Sequence, residues 1–297
     1  MTDLDNQAGD GNRLAAWWRL IRGGNVLLSG GAAIIGVYVA GGRLDFTGLG
    51  MVPLAPILIT AAGNVQNDLI DRITDSINHP YRPLVSGAIS LPTARTVMNV
   101  GYIVGLIAAA AVSALALTIA GLVVLGLTLY NLRLSRHPLI GNLTVALLGA
   151  LPILYGGVSI EGFAATDWIL AATVALVAFW LHFARELLKD AADSEGDARA
   201  GRRTLPLLFS ERLTIRLGAI IMLLAAGFSF LPWYTGRLGV IYLFGICITV
   251  VPSLLFGAAQ CYGRPDIPIA SLWASWLKVV MLAGLVWIVL GVWTAHP

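Results

Sequence analysis

Two short stretches of this chain carry carboxylates and amides at identical intervals. Asn64, Asp68, Asp71 and Asp75 are spaced by four, three and four residues, and Glu186, Asp190, Asp193 and Asp197 repeat that spacing. At 100° per residue each set falls within an arc of about 60°, so each would make one stripe of oxygen ligands on a helix. Eight of the 16 acidic residues lie in the two windows 64–75 and 186–197. Like charges at such intervals repel, so the clustering asks for a cation. Hard oxygen ligands without interleaved His or Cys suit Mg²⁺, which prefers carboxylates, waters and substrate phosphates to an all-protein cage. Two facing stripes would hold about two or three such ions around a diphosphate. Asp68, Asp71, Asp190 and Asp193 are the expected catalytic metal ligands, with Asn64, Asn67, Asp75 and Asp197 completing or orienting the shell. Arg72, Arg82, Arg185, Lys189, Arg202 and Arg203 lie close in sequence and could neutralise the remaining phosphate charge.

The rest of the chain says where such stripes must sit. Of 297 residues, 58% are hydrophobic and 12% charged, and the mean hydropathy is +0.81. That is about half the charge of a soluble domain, and it excludes an ordinary soluble fold. Apolar runs near 24–41, 48–66, 93–112, 114–130, 139–158, 167–184, 213–233, 238–257 and 269–293 predict an all-α polytopic membrane protein of nine spans. The third and fourth runs are divided by Ser113 alone. Residues 1–23 read as a polar segment followed by an interfacial helix on Leu14, Trp17, Trp18 and Ile21, and 24–297 as a single transmembrane domain. Asp3, Asp5 and Asp10 do not fit the basic start of a secretory signal peptide. Cys247 and Cys261 form no disulfide framework or CxxC site.

Charge placement sets the orientation. With the N-terminus inside, 16 of the 19 basic residues fall in inner segments; Arg43 and Arg237 fall outside, and Lys278 lies within the last span. The positive-inside rule therefore predicts a cytoplasmic N-terminus in the cell membrane, His296 and Pro297 outside, and both stripes at the cytoplasmic face, at the inner ends of the second and sixth spans. The matched placement suggests an internal pseudo-repeat. Glu186 is in phase with its stripe but one turn deeper, where it could act as a base toward an acceptor hydroxyl, tune a metal ligand, or pair with Arg185 or His182. Lys278 should face the bundle interior and meet an anionic acceptor, or else extend its ammonium towards the inner surface. Asn142 reads as a helix–helix hydrogen-bonding residue, and His79 and His137 as helix-boundary residues preceding prolines.

The string Asn67-Asp68-Leu-Ile-Asp71-Arg72-Ile-Thr-Asp75 reads NDxxDxxxD and runs on through Asn78, Pro80, Arg82, Pro83, Ser86 and Gly87. It resembles the first signature of the UbiA superfamily of intramembrane prenyltransferases. Asp190-Ala-Ala-Asp193-Ser-Glu-Gly196-Asp197, followed by Arg203-Thr-Leu-Pro206, is similar to the second. The resemblance covers nearly the whole chain and implies a UbiA-like bundle. Within the superfamily, Arg19-Leu-Ile-Arg22-Gly-Gly-Asn25, Asp75-Ser-Ile-Asn78, Lys189-Asp190-Ala-Ala-Asp193 and Trp276-Leu-Lys278-Val-Val-Met281 most resemble the enzymes that add a second prenyl ether to a glycerol phosphate lipid. That implies Mg²⁺-dependent transfer of a geranylgeranyl group from prenyl diphosphate to a lipid-phosphate acceptor, with no nucleic-acid partner. It also implies that Arg22 and Asn25 contact the acceptor, together with Glu186 and Lys278. The loop Tyr130-Asn-Leu-Arg133-Leu-Ser135-Arg136 has Ser135 where the family usually has Lys, which leaves Arg133 or Arg136 to hold phosphate there.

In such a site two Mg²⁺ ions and several cations would stabilise the departing diphosphate, while apolar helices keep the allylic cation from water. The pattern from Asn78 to Gly87 is shared with chlorophyll synthases and some enzymes with aromatic acceptors, so those acceptors are the alternative. Proton-coupled transport is the non-enzyme alternative; it predicts acids near span midplanes, whereas these lie at span ends.

Overall fold

The computed structural model describes residues 13–42, 45, 47–160, 168–199, 201, 203–236 and 238–295. The polar stretch before Arg13, together with Arg43, Arg202, Arg237, His296 and Pro297, lies outside the described residues, as do the side chains of Asn78 and Arg136.

Among the described residues, eight helices are long and apolar enough to cross a membrane, and a bent pair supplies a ninth. That pair is α1 (Arg13–Leu20) and α2 (Gly23–Val39), which meet at 56°. The remaining spans are α3 (Leu54–Ile70), entered through a π-type turn at Thr47–Met51, then α5 (Leu91–Val112), α6 (Ala114–Leu132), α7 (Pro138–Val158) and α8 (Trp168–Ala192). They continue with α11 (Glu211–Phe228) leading into α12 (Leu231–Tyr234), α13 (Val240–Gly245) joined by a π-type turn to α14 (Val251–Gly263), and α15 (Ile267–Ala295). Short helices α4 (Arg72–Asn78), α9 (Ser194–Arg199) and α10 (Leu205–Leu208) lie between spans. No strand occurs among the described residues. The nine-span expectation holds when the bent pair counts as one crossing.

Local chemistry explains the breaks. Ser113 has extended backbone, φ −167° and ψ 162°, and its hydroxyl accepts from the Ala116 amide at 3.0 Å. One serine thus ends α5 and caps α6, which divides the longest apolar run into two spans. Arg22, at the bend between α1 and α2, has φ 54° and ψ 59°, the only positive φ outside glycine among the described residues. A side chain there costs about 1–2 kcal/mol, so the surroundings must hold it.

Each span packs on the next one in sequence, and α15 packs on α2 to close a ring. Three further substantial contacts cross the ring, α2 with α7, α8 with α15 and α3 with α6. The α2–α7 contact is very close. A Cβ on Gly156 would lie 1.9 Å from the Ala33 carbonyl oxygen, and one on Gly36 would lie 2.1 Å from that of Ile153. Glycine lets the two backbones touch, as small residues do between membrane helices. The contact divides the apolar interior. One cluster gathers Val37, Ala55, Ile59, Ala109, Ala120 and Tyr155 on the α3–α5–α6 side, and another gathers Ile153, Val174, Leu181, Tyr242, Ile246 and Met281 on the α8–α11–α15 side.

The stripe helices are equivalent in form. Both bend at the third member of the stripe, Asp71 between α3 and α4 and Asp193 between α8 and α9. Their i→i−4 bonds continue through the bend: Asp75 N–H to Asp71 O at 2.8 Å and Asp197 N–H to Asp193 O at 3.0 Å. Each stripe therefore spans two short helical axes, where the spacing predicted one, and α4 packs against α9. Replacing Gly156 with Ala is expected to lower stability by about 1–3 kcal/mol or more through overpacking. Gly121→Ala, where a Cβ meets nothing within 4 Å, should not destabilise; thermal unfolding of the two variants in detergent checks the pair.

Candidate active site

The two stripes open on one cavity of about 530 Å³. Its wall includes Asn64, Asn67, Asp71 and Asp75 from the first stripe region and Glu186, Asp190, Asp193 and Asp197 from the second. Arg22, Asn25, Arg82, Arg185, Lys189 and Lys278 line it too. Along α8 the wall runs from Asp190 to Val174, about 24 Å at 1.5 Å per residue, most of the hydrocarbon thickness of a bilayer. Away from the charged mouth the lining is apolar. Two of the wall residues, Leu28 and Leu285, also border an apolar groove on the outer surface between α2 and α15.

Asp68 lies under the wall, 3% exposed. Its Oδ1 accepts from Arg22 Nη2 at 2.9 Å and from Arg82 Nη1 at 3.0 Å. Arg22 also donates to Asn67 Oδ1 at 2.7 Å, which explains what holds its backbone in the left-handed region. Arg82 is ion-paired with Asp75 as well. Burial pushes the Asp75 carboxyl above its ordinary value, and Arg82 beside it pulls the other way. Asn64 donates to the Ile21 carbonyl at 2.7 Å, tying α3 to the bend before α2. Asn67 donates to Asp71 Oδ2 and Asn131 Oδ1, both at 3.1 Å. Asn131 in turn donates to Gln66 Oε1 at 3.0 Å, which also accepts from the Tyr102 hydroxyl at 2.8 Å. A polar network thus passes through three apolar spans and fixes the first stripe.

The second stripe is held differently. Asn142 Nδ2 on α7 donates to Asp190 Oδ2 at 2.8 Å. Glu186, 6% exposed, accepts from Arg185 Nη1 at 2.6 Å and faces Lys189 Nζ at 3.7 Å. It is a partner for two cations, the pairing the sequence left open beside a role as base. Arg185 Nε is buried without a hydrogen-bond partner. Arg185, Lys189 and Lys278 thus bring three positive charges to a wall that also carries Glu186, Asp190, Asp193 and Asp197, so groups of both signs face the cavity there. Lys278 lies on the cavity wall, as expected of a charge facing the interior.

Several expected contacts fall elsewhere. Arg72, Arg133 and Arg203 are exposed and do not line the cavity, because their positions fall on the outer sides of α4 and of the loops after α6 and α10's preceding turn. In the loop that carries Ser135, that serine faces the cavity and Arg133 does not. The cationic part passes to Arg82, Arg185 and Lys189. Asn142 makes the helix–helix hydrogen bond expected of it; Asn131 was not recognised in the sequence, and a polar amide within an apolar span was the available signal. Among the described residues no three His, Cys, Asp or Glu side chains converge closely enough to hold a metal by themselves. The donors of the two stripes are all oxygen, with the His79 imidazole also on the wall beside them, and such oxygen donors fit an ion that takes few protein ligands and shares the rest with water and phosphate.

A ring of membrane helices carries paired acidic stripes at the mouth of a long apolar cavity. The family model described as the UbiA prenyltransferase family matches residues 29–276, and the chain belongs to that family. A relative from Natronomonas pharaonis, named digeranylgeranylglyceryl phosphate synthase, is 34% identical over 92% of this chain and 95% of its own. A solved structure reported for digeranylgeranylglyceryl phosphate synthase is 28% identical, with a TM-score of 0.76 over 94% of this chain and 98% of its own. A UbiA homologue from Archaeoglobus fulgidus, solved bound to GPP and Mg²⁺, shares the fold at 17% identity with a TM-score of 0.65, over 92% and 99% of the two chains. Removing the Asp190 partner by Asn142→Leu forfeits a hydrogen bond to a charged group, about 1.5–3 kcal/mol. We expect kcat/KM for prenyl transfer to fall about 10- to 100-fold, with the unfolding temperature lowered by several degrees.

Proposed function

We propose that this protein transfers a geranylgeranyl group from its diphosphate to the free hydroxyl of a prenylglyceryl phosphate, making the second ether of a membrane lipid. The observation that carries this reading is the single cavity in which both oxygen stripes, a cationic patch and a long apolar interior meet. The name of the Natronomonas relative supports the acceptor.

Asp71, Asp190 and Asp193 would hold Mg²⁺, with Asn64, Asn67 and Asp197 at the rim of the same wall. Bound there, the ions would supply positive charge to the diphosphate oxygens. Arg82 and Lys189 add charge from opposite sides, and Asp68 acts by positioning Arg22 and Arg82. The C1–O bond of the allylic diphosphate breaks and its electron pair leaves with diphosphate. The acceptor oxygen then bonds to C1 and its proton passes to the departed diphosphate. The apolar lining keeps water from the cation while this happens. Arg185 and Lys278, with Asn25 on the facing wall, would receive the acceptor phosphate, and Glu186 keeps Arg185 and Lys189 in place. A lipid acceptor would reach them through the groove between α2 and α15. Residues 24–297 act as one transmembrane domain in the cell membrane, with the site and the N-terminus on the cytoplasmic side.

Purified protein given geranylgeranyl diphosphate, geranylgeranylglyceryl phosphate and Mg²⁺ should form the diether and release pyrophosphate. Chelation with EDTA, or Asp71→Ala with Asp190→Ala, should reduce the rate at least about 100-fold. Product from an aromatic acceptor alone, or diether formation that survives the double substitution, would overturn the reading. Arg185→Met should raise KM for the acceptor about tenfold or more while leaving KM for the donor within about twofold, as loss of a charge-assisted hydrogen bond implies.

A further inference from the structure

We infer that the cavity has two arms, and that each takes a different tail: the donor chain lies between α3, α6 and α7, and the chain already on the acceptor lies between α8 and α15. This inference rests on the function proposed above. It begins from the α2–α7 contact, where Gly36 and Gly156 bring two backbones together across the ring. Cavity walls occur on both sides of that contact. On one side are Ala55, Ile59, Ala120, Val123 and Tyr155; on the other are Val174, Ala178, Met281, Leu285 and Ile288. The two sets belong to, or pack against, separate apolar clusters. Near the mouth α2 and α7 contribute wall residues such as Ser29 and Gly149, so the arms join there and part at greater depth.

The head groups decide which tail goes where. On α3 the wall residues Ala55, Ile59, Gly63, Asn67 and Asp71 follow one another at intervals of four, a ridge running from the first acidic stripe into the first arm. A diphosphate held at Asp71 leaves its chain on that ridge. On α15 the wall residues Lys278, Met281, Leu285 and Ile288 are spaced three, four and three, within an arc of about 80°. A phosphate held at Lys278 and Arg185 leaves its chain on that face. Leu285 also borders the groove between α2 and α15, so the second arm is the one a membrane-borne lipid reaches first. Both reacting ends then meet at the shared mouth, while two long chains avoid competing for one channel.

The experiment uses the full-length protein with substrates carrying a photoreactive diazirine at the far end of the tail. The donor probe is expected to label peptides of α3 or α6, and the acceptor probe peptides of α8 or α15. In parallel, Ala120→Phe should raise KM for the C20 donor at least tenfold and recover with a C5 donor. Ala178→Phe should do the same for a C20 acceptor and recover with a short-chain glyceryl phosphate. Recovery with the short substrate shows that each variant is folded. Donor labelling on α8 or α15, or equal effects of both variants on both substrates, would overturn the two arms. A wild-type protein that forms no diether while its donor probe still labels α3 or α6 would instead defeat the acceptor reading.

Discussion

Asp68 is a carboxylate buried to 3% exposure in a membrane protein, and two guanidinium groups that share its Oδ1 offset the cost of burying it there. That constraint organises the mouth of the cavity. Arg22 must reach inward from the bend between α1 and α2, which accounts for its left-handed backbone. Arg82 must come back from the segment after α4, and in doing so it also holds Asp75. Three pieces of chain far apart in sequence are therefore pinned to one side chain. The cavity-facing groups of the first stripe inherit their positions from that clamp, since Asn67 is held by Arg22 and in turn holds Asp71.

The second stripe solves the same electrostatic problem with different partners. Asp190 takes a neutral amide from Asn142, and Glu186 takes Arg185 and a nearby Lys189. The two stripes are alike in spacing, in the bend at their third member and in the short helix that follows, so the fold repeats the ligand geometry while the surrounding charge differs. That asymmetry gives the site a direction. The second side sets Arg185, Lys189 and Lys278 beside four carboxylates, while the first closes Arg22 and Arg82 around Asp68 and Asp75, so the two halves of the mouth are electrostatically unlike.

Much of this was legible in the residue pattern. The acidic stripes, the nine crossings and the interior lysine follow from spacing, hydropathy and the expense of charge in a bilayer. Some of it was not. Asp68 carries the same spacing as Asp71, yet one is buried beneath two arginines and the other lines the cavity. Arg82 and Arg133 are equally basic loop residues, and only the first reaches the wall. Spacing reports the face of a helix; it carries no information about which distant segment folds across that face.

The amino-acid sequence by itself determined that the chain spans a membrane and that two oxygen stripes stand at the ends of two spans. These properties are local: each depends on neighbours within a few helical turns and on the cost of polar groups in hydrocarbon. The tertiary structure decided which carboxylates face the cavity, which cations compensate them, and that α2 and α7 meet through Gly36 and Gly156. Those outcomes depend on contacts between spans separated by up to more than a hundred residues, and no periodicity within one span encodes them.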